Sequence, residues 1–328
     1  MKDIEAALAR QKGQLDKFSN ALSGPDLRKK VLALIPVVHG IRDIGSSLIS
    51  REDASSGRDR VLFYLRAYPR TLIAGDELAV ISGIQDWPRR VRELRVEFGW
   101  WIYSGVTFRQ LLSEAGDDSG ELERLTSDLK DLLGVEPGRI RTDQYVLMRD
   151  EQDRDAAHRW NVLNGIRRDK SLTSVKAKLL AYFRKNPGHP ITGEELRYLA
   201  KDKSEWARRT RELRTEDGWP VLTRQQGRPD LPVGSYVLEE DRQAPAHDRK
   251  IADPVRIEVL ERDGFACRVC GWTRDKASRD DPRRLLELHH VHEHRDGGKN
   301  EADNLVTLCN VDHDEVHAGR LDLAAKLH

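Results

Sequence analysis

A dense internal repeat constrains this chain more than any other feature. Leu62, Leu65, Arg66, Pro69, Gly75, Glu77 and Leu78 return as Leu180, Phe183, Arg184, Pro187, Gly193, Glu195 and Leu196, each 118 positions later. After a one-residue insertion, Trp87, Arg89, Arg90, Arg92, Glu93, Leu94, Arg95, Glu97, Gly99 and Trp100 return as Trp206, Arg208, Arg209, Arg211, Glu212, Leu213, Arg214, Glu216, Gly218 and Trp219. Tyr145-Val146-Leu147 then returns as Tyr236-Val237-Leu238. Apolar, glycine and charged positions recur together, which means a duplicated domain. Each copy reads as a helix, a turn, a second helix opening with GDEL or GEEL, a third helix over WPRRVRELR or WARRTRELR, and a β-hairpin starting at the Gly-Trp pair. Helical spacing puts Trp87, Val91, Leu94 and Phe98 on one face of the first third-helix, with Arg89, Arg92, Glu93 and Val96 opposite. In the second copy Trp206, Thr210 and Leu213 fall inward while Arg208, Arg211, Glu212 and Thr215 fall outward.

Three helices followed by a β-wing resemble the winged helix-turn-helix family of DNA-binding domains. The resemblance rests on element order and on the charge of the third helix, and it implies that this helix enters the major groove. There an arginine can meet guanine, a glutamate the amino group of cytosine, and Val or Thr a pyrimidine methyl. It assigns Arg89, Arg92, Glu93, Arg208, Arg211 and Glu212 to double-stranded DNA; the plainer alternative for each is a solvated charged face. Trp100 and Trp219 read as core residues beneath the wing. Residues 110–139 look like an acidic, glycine-punctuated insertion within the first wing. A formal net charge of +1 conceals segregation: residues 166–230 hold 16 Lys/Arg against 9 Asp/Glu, whereas 110–165 hold 7 against 13. The local basic excess suits an anionic partner.

Ahead of the repeat, Ile4, Leu8, Leu15, Phe18 and Leu22 form one helical stripe and Leu27, Val31, Leu34, Ile35 and Val38 a second, with Pro36 placed to kink it. This segment, residues 1–55, is expected to serve packing or oligomerisation. The first copy then covers 56–155 and the second 156–240, a polar linker covers 241–253, and a C-terminal domain runs over 254–328. Asp253 is placed as the N-cap of that domain's first helix, Pro254 at its first position and Gly264 at its end. The expected class is α+β and multidomain. No apolar run approaches the roughly 20 residues that span a bilayer, and MKDIEAALARQKGQ has no apolar segment behind a basic start, so a cytoplasmic, membrane-free protein is expected.

The chemistry is concentrated at the C-terminus. Cys267, Cys270 and Cys309 are the three cysteines, and an odd number in a reducing compartment suits a metal better than disulfides. A His289-His290 pair is followed by Gly297-Gly298, Asn304, an apolar strand ending in Cys309, and a helix bearing His313 and His317. This order is similar to that of the HNH endonuclease family, with its ββα-metal motif. The resemblance implies that His290 is the general base, that His289 and His313 bind a catalytic Mg²⁺ or Mn²⁺, and that Asn304 pins the loop orienting His290. His317 becomes a third metal ligand or a phosphate contact. A second, structural centre would hold Zn²⁺ on Cys267, Cys270 and Cys309, with Asp312 standing where the family often has a fourth cysteine. Asp312 is otherwise a helix N-cap, with a nearby His completing the tetrahedron. His292 and His294 read as phosphate-facing or simply exposed. Phosphodiester hydrolysis needs an activated water and neutralisation of developing charge, which a histidine base and a divalent cation supply.

Together these readings give a restriction-type DNA endonuclease, sequence-specific or modification-dependent. One centre cuts one strand, so double-strand cleavage requires a homodimer or successive nicks; a homodimer and a cognate methyltransferase are the expected partners. The alternatives are a DNA-binding regulator with a zinc-stabilised, non-cleaving domain, and a nicking or homing-type nuclease.

Overall fold

Capping signals set many of the element boundaries in the computed structural model, which describes residues 2–116, 119–245, 249–278, 280–292 and 298–327. The chain divides into two compact units, Met1–Val106 with Ile140–Ala157 and Thr107–Arg139 with His158–His328. No helix among the described residues is long and apolar enough to cross a membrane.

The first unit opens with a helical hairpin, α1 (Lys2–Leu22) and α2 (Leu27–Ser46). Asp26 caps α2 by accepting from the backbone N–H groups of Arg28 and Lys29. α2 runs on through Pro36 and packs along α1. The first copy follows as α3 (Gly57–Ala67), β1 (Ile73–Ala74), α4 (Gly75–Ser82), α5 (Trp87–Val96), β2 (Trp100–Ser104) and, after the insertion, β3 (Gln144–Gln152). Ser56 and Asp59 form a capping box that starts α3. The strands form an antiparallel sheet in the order β1-β3-β2. Two-residue β1 adds a third strand to the expected hairpin, and a strand that short carries no periodicity to read. Val61, Leu65, Leu78, Val91, Leu94, Ile102 and Leu147 form the core between helices and sheet.

The chain passes to the second unit within α6 (Gly105–Ala115), followed by α7 (Ser119–Leu133), and returns to it within α8 (Ala156–Arg168). The second copy comprises α9 (Val175–Lys185), β4 (Ile191–Thr192), α10 (Gly193–Leu199), α11 (Trp206–Thr215), β5 (Val221–Leu222) and β6 (Ser235–Leu238), with strand order β4-β6-β5. The acidic insertion is thus helical, and it packs on the second copy although its sequence interrupts the first. Trp206 Nε1 donates to Gln110 Oε1 at 2.8 Å, Thr107 Oγ1 donates to Glu194 at 2.7 Å, and Arg211 pairs with Glu114 at 2.9 Å.

The repeated residues do the same work in each copy. Gly75 and Gly193 open the second helices where an added Cβ would stand 2.9 Å from the ring of Trp87 or Trp206, so the glycine makes room for the tryptophan. Arg95 Nε donates to the Ile102 carbonyl at 2.6 Å and Arg214 Nη1 to the Val221 carbonyl at 2.9 Å, tying each third helix to its first wing strand. Arg66 and Arg184 lie over the rings of Trp100 and Trp219, both half-buried.

The C-terminal segment contains α12 (Asp253–Arg262), β7 (Leu286–His290), β8 (Leu305–Cys309), α13 (Asn310–His317) and α14 (Leu323–Lys326). Asp253 does not cap α12. Ala252 occupies that position, and the Asp253 carboxylate is buried in a two-bond pair with Arg214 of α11. Gly264, at φ +64°, ends the helix as expected.

Candidate active site

Strand alternation builds the centre. β7 and β8 pair antiparallel, with His289 opposite Val306 and His290 opposite Leu305. Adjacent strand residues point to opposite faces, so His289 and His290 meet different partners. His289 meets α13, where His313 and His317 share one face at the i, i+4 spacing. The ring centroids of His289 lie 5.2 Å from His313 and 4.8 Å from His317, and one nitrogen from each of the three falls within 4.8 Å of the others. His313 Nε2 and His317 Nε2 are 3.2 Å apart. Two imidazole nitrogens converging this closely need a shared proton or a cation between them, and nitrogen donors suit a transition-type divalent ion.

On the other side of the strand, His290 is 1% exposed and its Nε2 lies 2.7 Å from Asn300 Oδ1. The amide is oriented by Asn300 Nδ2 donating to the Lys250 carbonyl at 3.3 Å, which makes His290 Nε2 the donor and Nδ1 the acceptor. Asn304 holds the loop from both edges: its Oδ1 accepts from His292 N at 2.8 Å, and its Nδ2 donates to the carbonyls of His292 and Lys299 at 3.0 and 2.9 Å. Asn304 therefore grips backbone, while Asn300 touches the His290 ring. His292 is exposed; His294 and Gly297 lie outside the described residues.

Cys267, Cys270, Cys309 and Asp312 form a second cluster, their ligand atoms within 4.8 Å of one another. Gly271 at φ +67° lets the Cys267–Cys270 turn close, with Gly271 N donating to Cys267 O at 2.8 Å. The Cys270–Cys309 sulfur separation of 3.8 Å matches a tetrahedral edge of about 3.8 Å for metal–sulfur arms near 2.3 Å. The hydrogen bond from Cys309 pushes the Cys267 thiol down to about 6, while Cys309 itself is raised by that bond and by burial. Burial alone would raise Asp312, but hydrogen bonds from the three thiols hold it below the usual carboxylate range. Cys267 and Asp312 thus take negative charge readily while burial holds Cys270, and its bond with Cys267 together with burial holds Cys309, toward the neutral thiol, and a bound cation would be what draws off their protons. Cys309, not Asp312, caps α13, its Sγ accepting from Asp312 N at 3.4 Å.

Three supporting residues escaped the sequence reading. Glu287 is nearly buried, and its Oε2 lies 3.3 Å from His313 Nδ1. Their contact is electrostatic, and the signal was strand parity, since positions 287 and 289 share a face. Burial raises Glu287, against the pull of His313 and Arg242. Arg242, from the linker, lies 3.4 Å from Glu287 and donates to Asp314 at 2.8 Å; nothing local in sequence marked it, or Asn300.

The arginines of the third helices lie apart from this centre in sequence. Arg89, Arg92 and Arg208 are exposed, and Arg211 is half-buried on Glu114. Glu93, Val96 and Glu212, expected outward, are 8%, 5% and 6% exposed. Arg89 and Arg90 close over Glu93, as Arg208 and Arg209 do over Glu212, and β2 packs along α5 beside Val96.

The HNH endonuclease family model matches residues 267–319, and the model of the KpnI N-terminal domain matches residues 58–148 and 176–239. Searches of the curated proteins and of the solved structures found no match. The matched ranges of the second model fall one on each copy of the repeat. The C-terminal segment thus matches the HNH endonuclease domain and the duplicated segment the KpnI N-terminal domain, a combination consistent with a restriction-type HNH endonuclease.

Proposed function

We propose that the protein is a DNA endonuclease of restriction type, whose two winged-helix-like repeats grip double-stranded DNA while the HNH domain hydrolyses a phosphodiester bond. The observation that carries this reading is the convergence of His289, His313 and His317 beside a His290 whose tautomer is set by Asn300. Bound there, Mg²⁺ or Mn²⁺ would neutralise charge on the scissile phosphate and leaving oxygen. His290 takes the proton of the attacking water at Nδ1, while Asn300 accepts from Nε2 and stabilises the imidazolium. Asn304 keeps the loop closed, and Glu287 holds the His313 ring for its ligand role. Cys267, Cys270, Cys309 and Asp312 would hold Zn²⁺ and staple a segment too short to bury a large core.

Arg89, Arg92 and Arg208 supply DNA contacts. Arg211 joins them only by leaving Glu114, and Glu93 and Glu212 position the neighbouring arginines instead of reading bases. Leu27, Val31, Leu32 and Ile41, half or more exposed on α2, supply the apolar face for a homodimer, which would bring two centres to two strands. A cognate methyltransferase and a cytoplasmic setting complete the restriction reading.

Incubating unmodified and cytosine-modified plasmids with Mg²⁺ or Mn²⁺ tests the proposal. Wild type should cut at least one plasmid, and His290→Ala should slow cutting by about 10²-fold or more. Asn300→Ala should lower kcat by roughly 10-fold with KM unchanged, as loss of an orienting partner does. Intact DNA with wild type under every condition would overturn the nuclease reading.

A further inference from the structure

A cavity of about 570 Å³ lies between the β5–β6 connection and the C-terminal segment of the second unit, within the range of about 300–1,000 Å³ that small-molecule sites occupy. Its wall includes Leu222, Leu260, Phe265 and Trp272. Phe265 is 37% exposed and sits in the left-handed region at φ +52°, an unusual backbone for a bulky residue. It follows Gly264, and its backbone N–H is spent on the Leu260 carbonyl at 2.8 Å, so the end of α12 holds the ring in place beside Gly227.

The charged groups around the cavity are mostly committed. Arg224 donates to the Pro229 carbonyl, Arg274 pairs with Glu239, Arg284 donates to the Ser278 carbonyl, and Asp230 is held by Arg228. Arg256 of α12 is the exception: its Nε is buried with no hydrogen-bond partner among the described residues, and the carboxylates that act on it, Asp253 and Glu287, do so without bonding it, Asp253 being committed to Arg214. A buried guanidinium donor left unmade is costly and asks for an anion. Flat apolar walls around one unsatisfied guanidinium suit a ligand with an aromatic body and an anionic group.

We infer that this cavity takes one nucleotide, with its base against Phe265 and the apolar wall and its phosphate on Arg256. The nucleotide is either extruded from bound DNA or free. The first source rests on the nuclease reading; the second does not. Leu286 lines the cavity and sits four residues before His290 on β7, a span of about 13 Å at strand rise and about four steps of duplex at 3.4 Å each. A nucleotide turned out of the stack a few steps from the cut would read base identity or modification in a pocket, a task the buried Glu93 and Glu212 are poorly placed to perform.

The full chain carrying His290→Ala, with and without Arg256→Gln or Pro229→Trp, provides the test. Pro229 is exposed at the cavity rim, so its substitution obstructs the mouth without disturbing α12, should Arg256→Gln fail to fold. In calorimetric titrations, at least one of dAMP, dGMP, dCMP and dTMP should bind tenfold tighter than its nucleoside and than inorganic phosphate, and both variants should lose that preference. In parallel, plasmid DNA held by the protein is probed with permanganate, chloroacetaldehyde and kethoxal, which together report unpaired T, A, C and G. A reactive position that disappears in both variants identifies extruded DNA as the source; nucleotide binding without one identifies the free nucleotide. If gel shifts show no DNA binding, the nuclease reading fails while the titrations still decide the cavity. No nucleotide binding and no reactive base, or either signal unchanged in both variants, overturns the inference.

Discussion

In the first copy of the repeat Arg92 of α5 stands exposed, while its counterpart in the second, Arg211 of α11, is half-buried and paired with Glu114 of α6. The same contrast recurs deeper in the domain. Tyr64 donates to Glu77 at 2.8 Å near the surface, whereas Tyr182 donates to Glu195 at 2.9 Å in the interior, where Arg159 joins at 3.1 Å. Arg95 donates to the Ile102 carbonyl and lies over Tyr145, whereas Arg214 donates to the Val221 carbonyl and pairs with buried Asp253. Meanwhile the glycine–tryptophan fit and the arginine cage around the third-helix glutamate are alike in both. Duplication kept the contacts that hold each third helix to its own sheet and let the outer surface diverge. The first copy keeps both Arg89 and Arg92 exposed; the second keeps Arg208 exposed and spends Arg211 on packing.

That difference is most easily broken at Asp253. Asp253→Ala leaves Arg214 buried without its partner and should cost about 3–5 kcal/mol in urea unfolding, while Arg214→Met with Asp253→Leu should cost far less. A loss below about 1 kcal/mol for the single variant would show that the second copy does not depend on this pair. The pH dependence has a definite sign. Burial raises the Asp253 carboxyl, but Arg214 outweighs it and the net shift is downward. Its stabilisation is therefore present above the unfolded value of about 3.9 and is lost as pH falls through the folded one. The Ala variant should accordingly approach wild type in strong acid.

Next in size is the tyrosine pair. Tyr182→Phe leaves part of a buried network unsatisfied and should cost about 1–3 kcal/mol, against a few tenths for Tyr64→Phe; equal losses in thermal unfolding would erase the distinction. For DNA, Arg92→Ala should lower the salt slope of binding by about 1, with Arg211→Ala leaving it unchanged, because Arg211 is already neutralised. A smaller slope for Arg211→Ala would mean that α6 releases α11 when DNA binds. The smallest effect sharpens the same point: Glu114→Gln should free Arg211 and strengthen DNA binding by roughly 0.2–1 kcal/mol, the worth of a partly exposed pair.

Much of the fold was legible because its signals are local. The repeat announced two like domains, GDEL and GEEL marked helix starts, and Gly264 marked a stop. Two-residue β1 and β4 were not legible, since strands that short are made by pairing with β3 and β6 and carry no pattern of their own. The wheel that put Glu93 and Val96 outward failed because it treats a helix as having one packed side, while arginine cages and β2 cover a second. Asp253 had the composition of an N-cap and was taken by a distant arginine instead. At the centre, His289, His290, Asn304, His313, His317 and the cysteines were picked out by an order similar to that of the HNH family; Asn300 and Arg242 were not, because loop closure alone brings them to the site.

Residue identity and order alone pointed to a duplicated domain ahead of a segment that resembles the HNH family and gathers histidines and cysteines, because those residues sit a few positions from one another. Tertiary structure alone decided that the insertion of one copy covers the other, that Arg211 and Asp253 are spent in pairs, and that Arg256 faces a cavity without one. Those outcomes depend on which of many similar charges meet across long stretches of chain. A sequence records the charges, whereas burial and distance select the pairs.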